Sequence, residues 1–517
     1  MKARLVALVL ALLMAGCSAA PTVEPQRRPT ARTPAFVYVE NVDVISDWDP
    51  ATAYSNEIVA FQNIYETLTL WNPVSKKAAP RLATSWKAST DGKTWSFKLR
   101  PGVRFHTGRA LDAAAVKEAV ERTMSSNGEP GYIWGPVSSV VVDDPLTVTF
   151  VLKYAVPFDL VVASTYAAYI YDPAGIDPAG KKDGGTGPYT VSTWTKGAAD
   201  ELVLTAFDGY WGGWERPHYR KITFRVVPST QDQWTGLLTG EVTFVPRINR
   251  FRYGRAARMG GLRTSRAPSY QVLTLLFNTR LGPLTDVRIR KALQRAIDYS
   301  GLTRKLAGAV TPASGIIPEG LPGHVKRRAP RQNLQAATRL LTAAGYGPGG
   351  RPLTLSLTYA EGDEDQQQLV TSLRRTMRAL NVTLDARAMP WLEQWEQGKQ
   401  GGQDIFVMYW WPDYADAYSY FGPVFRSADP PVFNLTYLQD PQIDALIDSL
   451  PELTAVDAAS AERAYAELTR LLLDVKAVAV VPWVVTYNRS YAAGVQGYHD
   501  NPAYPDVVFV YDLRPSA

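Results

Sequence analysis

From about residue 36 to the C-terminus the chain alternates two hydrophobic rhythms, and few architectures accommodate both. Trp95, Phe97 and Leu99 alternate with Thr94, Ser96 and Lys98, and Leu353, Leu355, Leu357 and Tyr359 alternate with Thr354, Ser356 and Thr358. Leu146, Val148, Phe150 and Leu152 repeat the period. A spacing of two sets one face of a strand on a core and the other in water. Between such segments the period becomes helical: Val116, Ala119, Val120 and Met124 share a face, as do Ile289, Leu293, Ala296 and Ile297, and Tyr465, Leu468 and Leu472. A further helix is predicted over 333–344, with Asn333 placed to cap its start and Gly345 its end. Strands and helices mixed along the whole length, without heptads or short repeats, specify an α/β protein. At 517 residues it should divide into two or three domains.

The N-terminus follows neither rhythm. Lys2 and Arg4 precede an apolar stretch, Leu5 to Leu13, then the small pair Ala15-Gly16 and the sole cysteine, Cys17. The stretch is too short to span a bilayer. It resembles a bacterial lipoprotein signal, in which Cys17 receives lipid and becomes the mature N-terminus, although Met14 stands where such signals usually carry Leu. The alternative is an ordinary secretory signal with an incidental cysteine; either way the chain is exported. Residues 1–17 are thus expected to be the signal, and the proline-rich, aperiodic 18–35 a flexible tether. Membrane contact is expected through the lipid alone. With Cys17 modified, no cysteine remains for a disulfide or thiol chemistry. The formal charge of +6 is scattered among acids rather than gathered in a stripe, which argues against nucleic-acid binding.

Catalytic motifs are sparse. His106, His218, His324 and His499 lie far apart, none in a spacing that suits a metal or a triad, and each reads as a surface or loop histidine. Neither a metal site nor a cofactor is expected. The glycine-rich pieces Gly185 to Tyr189 and Gly345 to Gly350 lack the lysine and helix start of a phosphate cradle and read as turns. The aromatic supply is unusual, with 14 Trp and 27 Tyr, and is densest from Tyr409 to Phe421. Aromatics with a polar handle suit an apolar surface that must also bond a ligand's polar groups. Equally, Trp410 and Trp411 could cap a core strand over Ile405 to Met408, with Asp413 and Asp416 forming the next turn.

Motifs along the whole chain resolve that ambiguity. DPATAYSNEIVAFQNIYETL, PRLATSWKASTDGKTWSFKLRPGVRFHTGRALDAAAVKEAVER, GTGPYTVSTWTKG, DGYWGG and FNTRLGPLTDVRIRKALQRAIDYSGL occur in that order. Together they resemble the peptide-binding class (family 5) of extracytoplasmic solute-binding proteins that feed ABC importers, which includes oligopeptide-, dipeptide- and nickel-binding members. One departure is GEVTF, where Thr243 replaces the family's common Asp.

The resemblance implies a two-lobed periplasmic-binding-protein-like (type II) fold with a hinge and an extra inserted domain. Lobe I would comprise 36–70, 179–268 and 489–517, the inserted domain 71–178, and lobe II 269–488. The chain would cross between lobes near Pro268 and Arg489. In peptide-binding relatives the Asp of a W-x-x-D-Y pattern pairs with the ligand's α-ammonium; Trp410, Asp413 and Tyr414 fit, with Trp411 beside them. Main-chain bonding would come from Ala53-Tyr54-Ser55-Asn56, and Tyr270 through Asn278 would run behind the cleft; both also read as plain core strand and loop. Some relatives carry an Arg for the ligand carboxylate where this chain has Val407, leaving that task to Lys399 or an unplaced arginine. The implied partners are a peptide or other small molecule, a permease and its ATPase, with the receptor a monomer. An oligosaccharide or other non-peptide ligand on the same fold, or an exported hydrolase, are the alternatives.

Overall fold

The two rhythms resolve into one large sheet with helices on its faces and a smaller sheet beside it. The computed structural model describes residues 35–41, 45, 47–126, 129–196 and 200–516. The expected lipidation site Cys17 and the tether up to residue 34 lie outside the described residues. Among the described residues, no helix is long and apolar enough to cross a membrane.

The large sheet holds twelve strands, and one long strand, Leu262–Phe277, joins its two halves. Its first part, Leu262 to Pro268, pairs antiparallel with Thr486 to Ala492. Its second part, Val272 to Phe277, pairs antiparallel with Ile405–Trp410. The register against Trp483–Ala492 shifts between Pro268 and Val272, leaving Ser269, Tyr270 and Gln271 outside the ladder, and Val272 pairs with both Val484 and Trp410. Beyond Trp483–Ala492 the order continues through Phe244–Val245, Ala35–Glu40, Lys221–Val226, Glu201–Ala206 and Tyr189–Thr195. Beyond Ile405–Trp410 come Leu353–Ala360 and Val382–Met389, which pair in parallel.

The helical faces bury as their periods require. Ile289, Leu293, Ala296 and Ile297 are all buried in one core with Leu273, Leu355 and Leu373. The helix Leu334–Ala343 starts at Asn333, whose side chain accepts from the Ala336 N–H, and Gly345 follows its end at a positive φ of 82°. The cap satisfies a donor the helix cannot pair itself.

The second sheet runs Ala83–Ala88, Thr94–Leu99, Thr147–Leu152, Val137–Asp144, all antiparallel, with the helix Ala113–Ser125 against it. Thr147–Leu152 alternates half-buried and buried residues throughout. Leu146, expected in this strand, is instead exposed in the preceding turn, where its N–H bonds the Asp144 carboxylate across Pro145.

His106 lies in a turn, as expected of a loop histidine, but not at the surface. Its side chain is buried; Nδ1 bonds Asp183, and Nε2 lies 2.9 Å from the Gly187 carbonyl. Asp183 also accepts from Gly185 N–H, Val191 N–H and the Thr190 hydroxyl. This pair pins the glycine-rich turn against the helix Ile58–Ile64. A Cβ on Gly185 would sit 2.0 Å from the Ile64 carbonyl oxygen, so only glycine allows the approach.

Candidate ligand-binding site

A cavity of about 690 Å³ lies where the two halves of the sheet meet, lined by Gln271 at the register shift and by residues from both sides of it. Its aromatic wall is composite. Tyr54 packs against Trp395 and Phe433, with ring centroids 5.3 and 6.2 Å apart, and Trp410 meets Phe433 edge-on at 5.0 Å. Tyr54, Ser55, Trp410, Trp411 and Asp413 all line the space. Tyr414 and Asn278 do not. Tyr414 is buried in the core beyond Asp413, and Asn278 lies at the far end of its strand, donating to the Gln403 carbonyl and accepting from the Arg280 N–H.

The aromatic segment divides the roles between which the sequence could not decide. Trp410 does cap its strand: it is buried, and its indole N–H bonds the Ser419 carbonyl at 2.8 Å. Asp416 makes the turn, accepting from the Tyr418 N–H at 2.8 Å. Asp413 does neither. Only 2 % exposed, its carboxylate accepts from the Tyr166 hydroxyl, and Tyr132 in turn bonds Tyr166 at 2.9 Å. Its backbone carbonyl accepts from the Thr165 N–H at 2.9 Å, tying this segment to the one that carries Tyr166.

Among the described residues no Lys, Arg or His pairs with Asp413. Burial raises its pKa from the ordinary 3.8 to about 7, while bonds from Tyr132 and Tyr166 oppose the shift. An ionised carboxylate in low dielectric, without a counter-charge, is held at considerable cost.

A second polar cluster surrounds Arg247, which the sequence left unplaced. Nε and Nη2 of Arg247 bond Asp506 Oδ2 at 3.1 and 2.5 Å, and the guanidinium lies 5.8 Å from the centre of the Tyr409 ring. Buried Arg489 takes the other Asp506 oxygen at 2.5 Å and also bonds Asp500 at 3.0 Å. Asp506 consequently stays ionised, its pKa lowered to about 2 by the two guanidinium groups against the effect of burial. Glu40 and Asp363 line the cavity here too, and burial raises both their pKa values despite Arg247. Asp363 caps the helix Glu364–Arg378 through the Gln366 N–H.

These residues gave only faint sequence signals. Glu40 is the lone acid closing the apolar strand Ala35–Glu40, where open α/β sheets place ligands. Arg247 follows the GEVTF departure. Thr243 within it is structural: its N–H bonds the Val37 carbonyl at 2.9 Å and its hydroxyl accepts from the Val37 N–H at 3.1 Å. Val407 does line the cavity, as apolar wall. Lys399 does not: it pairs with Glu396 at 2.7 Å and lies 3.8 Å over the Trp395 ring.

Residues 77–431 match the bacterial extracellular solute-binding proteins, family 5, middle region. The chain belongs to this family. Among curated family relatives it is 28% identical to the glutathione-binding protein GsiB of Pectobacterium atrosepticum over 448 residues, covering 83% of this chain and 84% of that one. It is 22% identical to the probable D,D-dipeptide-binding periplasmic protein DdpA of Escherichia coli over 470 residues, 88% of this chain and 89% of that one. The fold matches the periplasmic binding protein DppA of Helicobacter pylori, solved with the peptide STSA, at a TM-score of 0.82 and 20% identity, over 94% of this chain and 98% of that one. It also matches NikA of Brucella suis, solved with Fe(III)-EDTA, at a TM-score of 0.80 and 22% identity, over 93% and 100%. The family 5 chain is therefore an α/β protein of the two-lobed, type II periplasmic-binding class.

Proposed function

We propose that this solute-binding protein is the non-catalytic receptor of an ABC importer, capturing a peptide or peptide-like solute between its lobes and delivering it to a membrane permease. The observation that carries the reading is Asp413, a cavity-lining buried carboxylate held by tyrosine hydroxyls with no cation of its own. A ligand's α-ammonium supplies that missing charge, and the charge-assisted bond offsets the desolvation of both partners. A neutral sugar would leave Asp413 holding its proton up to about pH 7, whereas an ammonium draws it into the ionised form. Tyr54, Ser55 and Trp410 would flank the peptide's main chain and side chains, an arrangement that gives affinity with little selectivity. The lobe boundaries given above follow from this reading, with the register shift at Ser269–Gln271 as one strand of the hinge. So does a lipid anchor at Cys17, which keeps a monomeric receptor near its permease.

The test is calorimetric titration of short peptides alongside their N-acetylated forms, with mass spectrometry of the peptide afterwards. Binding of the free amine, loss of at least a hundredfold on acetylation, and recovery of intact peptide support the receptor. Equal affinity for both forms, or cleaved product, overturns it.

A further inference from the structure

The cavity is short of positive charge a second time, away from Asp413. Around Arg247 stand Asp506, Glu40 and Asp363, with Asp365 adding its field to Asp363. The cations present are Arg247 and Arg489, and both already bond Asp506, while Arg489 also serves Asp500. Arg247 acts on Glu40 and Asp363 as well, but two guanidinium groups face Asp500, Asp506, Glu40 and Asp363, so the acids outnumber the cations. Tyr38 reaches Glu40 only at 3.4 Å, and Glu40 also accepts from the Asn41 N–H at 3.1 Å.

A second observation has the same sign. The amide oxygens of Gln271 and Gln394, side chains 2 % and 0 % exposed on the cavity wall, have no hydrogen-bond partner. Gln394 Nε2 is occupied by the Val407 carbonyl at 2.9 Å, so its free end can only accept. Unpaired buried acceptors are costly, and their negative ends behind the cavity wall favour a positively charged occupant over an anionic one. Among the described residues no three acidic or histidine side chains are arranged to hold a metal ion, and a peptide side chain can supply the cation without one. A ligand carboxylate beside Arg247 would instead join Asp506, Glu40 and Asp363 around one guanidinium that Asp506 already holds.

We propose that the cleft selects peptides carrying a second positive charge, an ammonium or guanidinium side chain received between Glu40 and Asp363, and that it rejects acidic ones. The inference rests on the reading of Asp413 as the α-ammonium anchor and assigns the other end of the same ligand. It also separates this chain from the glutathione-binding relatives, whose named ligand carries two carboxylates.

The experiment is a calorimetric series of alanine-based tripeptides with Lys, norleucine or Glu at the second or the third position, with glutathione as a further arm. Lysine should bind at least tenfold tighter than norleucine at one position, Glu should bind weakest, and glutathione should not register. Norleucine or glutathione binding as tightly as lysine at both positions overturns the proposal while leaving the peptide receptor intact. If no tripeptide binds at all, the receptor reading fails and this inference with it. In Glu40→Gln and, separately, Asp363→Asn, the lysine-to-norleucine ratio should shrink at least fivefold. A ratio unchanged in both folded variants also overturns the assignment.

Discussion

Replacing Asp413 with Asn should strengthen the empty protein while weakening its grip on ligand. The carboxyl keeps its proton to about pH 7 in the fold, against an ordinary value of 3.8. The sign follows from proton counts. Between those values the unfolded chain has lost the proton and the folded one has kept it, so stability falls as pH rises through the window. About three pKa units correspond to roughly 4 kcal/mol, lost by pH 8 and fully regained below about pH 4. Asn keeps an oxygen for the Tyr166 hydroxyl and does not titrate, so Asp413→Asn should match wild type near pH 4 and exceed it by up to about 4 kcal/mol at pH 8. Urea unfolding at the two pH values measures the difference. In parallel, affinity for a free-amine peptide should fall by about a hundredfold or more, because the buried ammonium loses its partner. A variant less stable than wild type at pH 8, with unchanged affinity, would make Asp413 a structural residue and refute the reasoning.

Other outcomes follow from the same geometry. Peptide affinity should rise about tenfold between pH 5.5 and 7, as the Asp413 carboxyl gives up its proton, and calorimetry in buffers of different ionisation enthalpy should detect protons released on binding. Gly185→Ala forces a methyl onto the Ile64 carbonyl and should destabilise the fold by about 1–3 kcal/mol or more, read by thermal unfolding. Trp410→Ala removes both a strand cap and part of the aromatic wall; a loss of about 3–5 kcal/mol in stability should accompany weaker binding. Cys17→Ser should release the protein from membranes on fractionation without altering peptide affinity.

Periodicity identified the strands and helical faces that carry the fold, because each buries one face against a core and repeats that demand along its length. Leu146 was misplaced because a tight turn at Asp144–Leu146 keeps the hydrophobic spacing while leaving the sheet. The aromatic segment pointed to the correct wall of the cavity, yet its neighbour Tyr414 turned inward, and nothing in local spacing distinguishes a residue facing a cavity from one facing a core. Asn278 lies off the cavity for a similar reason: the strand that reaches the cavity at Gln271 has moved away from it by its far end. Glu40, Arg247, Asp363 and Asp506 come from four distant parts of the sequence. Their charge imbalance exists only once the sheet brings them together, so no local pattern could report it.

The register shift in Leu262–Phe277 is the one irregularity in the strand that joins the two halves of the sheet. Antiparallel pairs fix the strand on both sides of Ser269–Gln271, so sliding one half along the other would break both ladders. Because Pro268 pairs with Thr486 and Val272 with Val484, any bend at Ser269–Gln271 has to be shared by Val485 on the neighbouring strand. Gln271 thus sits both at the irregularity of the long strand and on the cavity wall, so a change in the bend of this strand would alter the shape of the cavity.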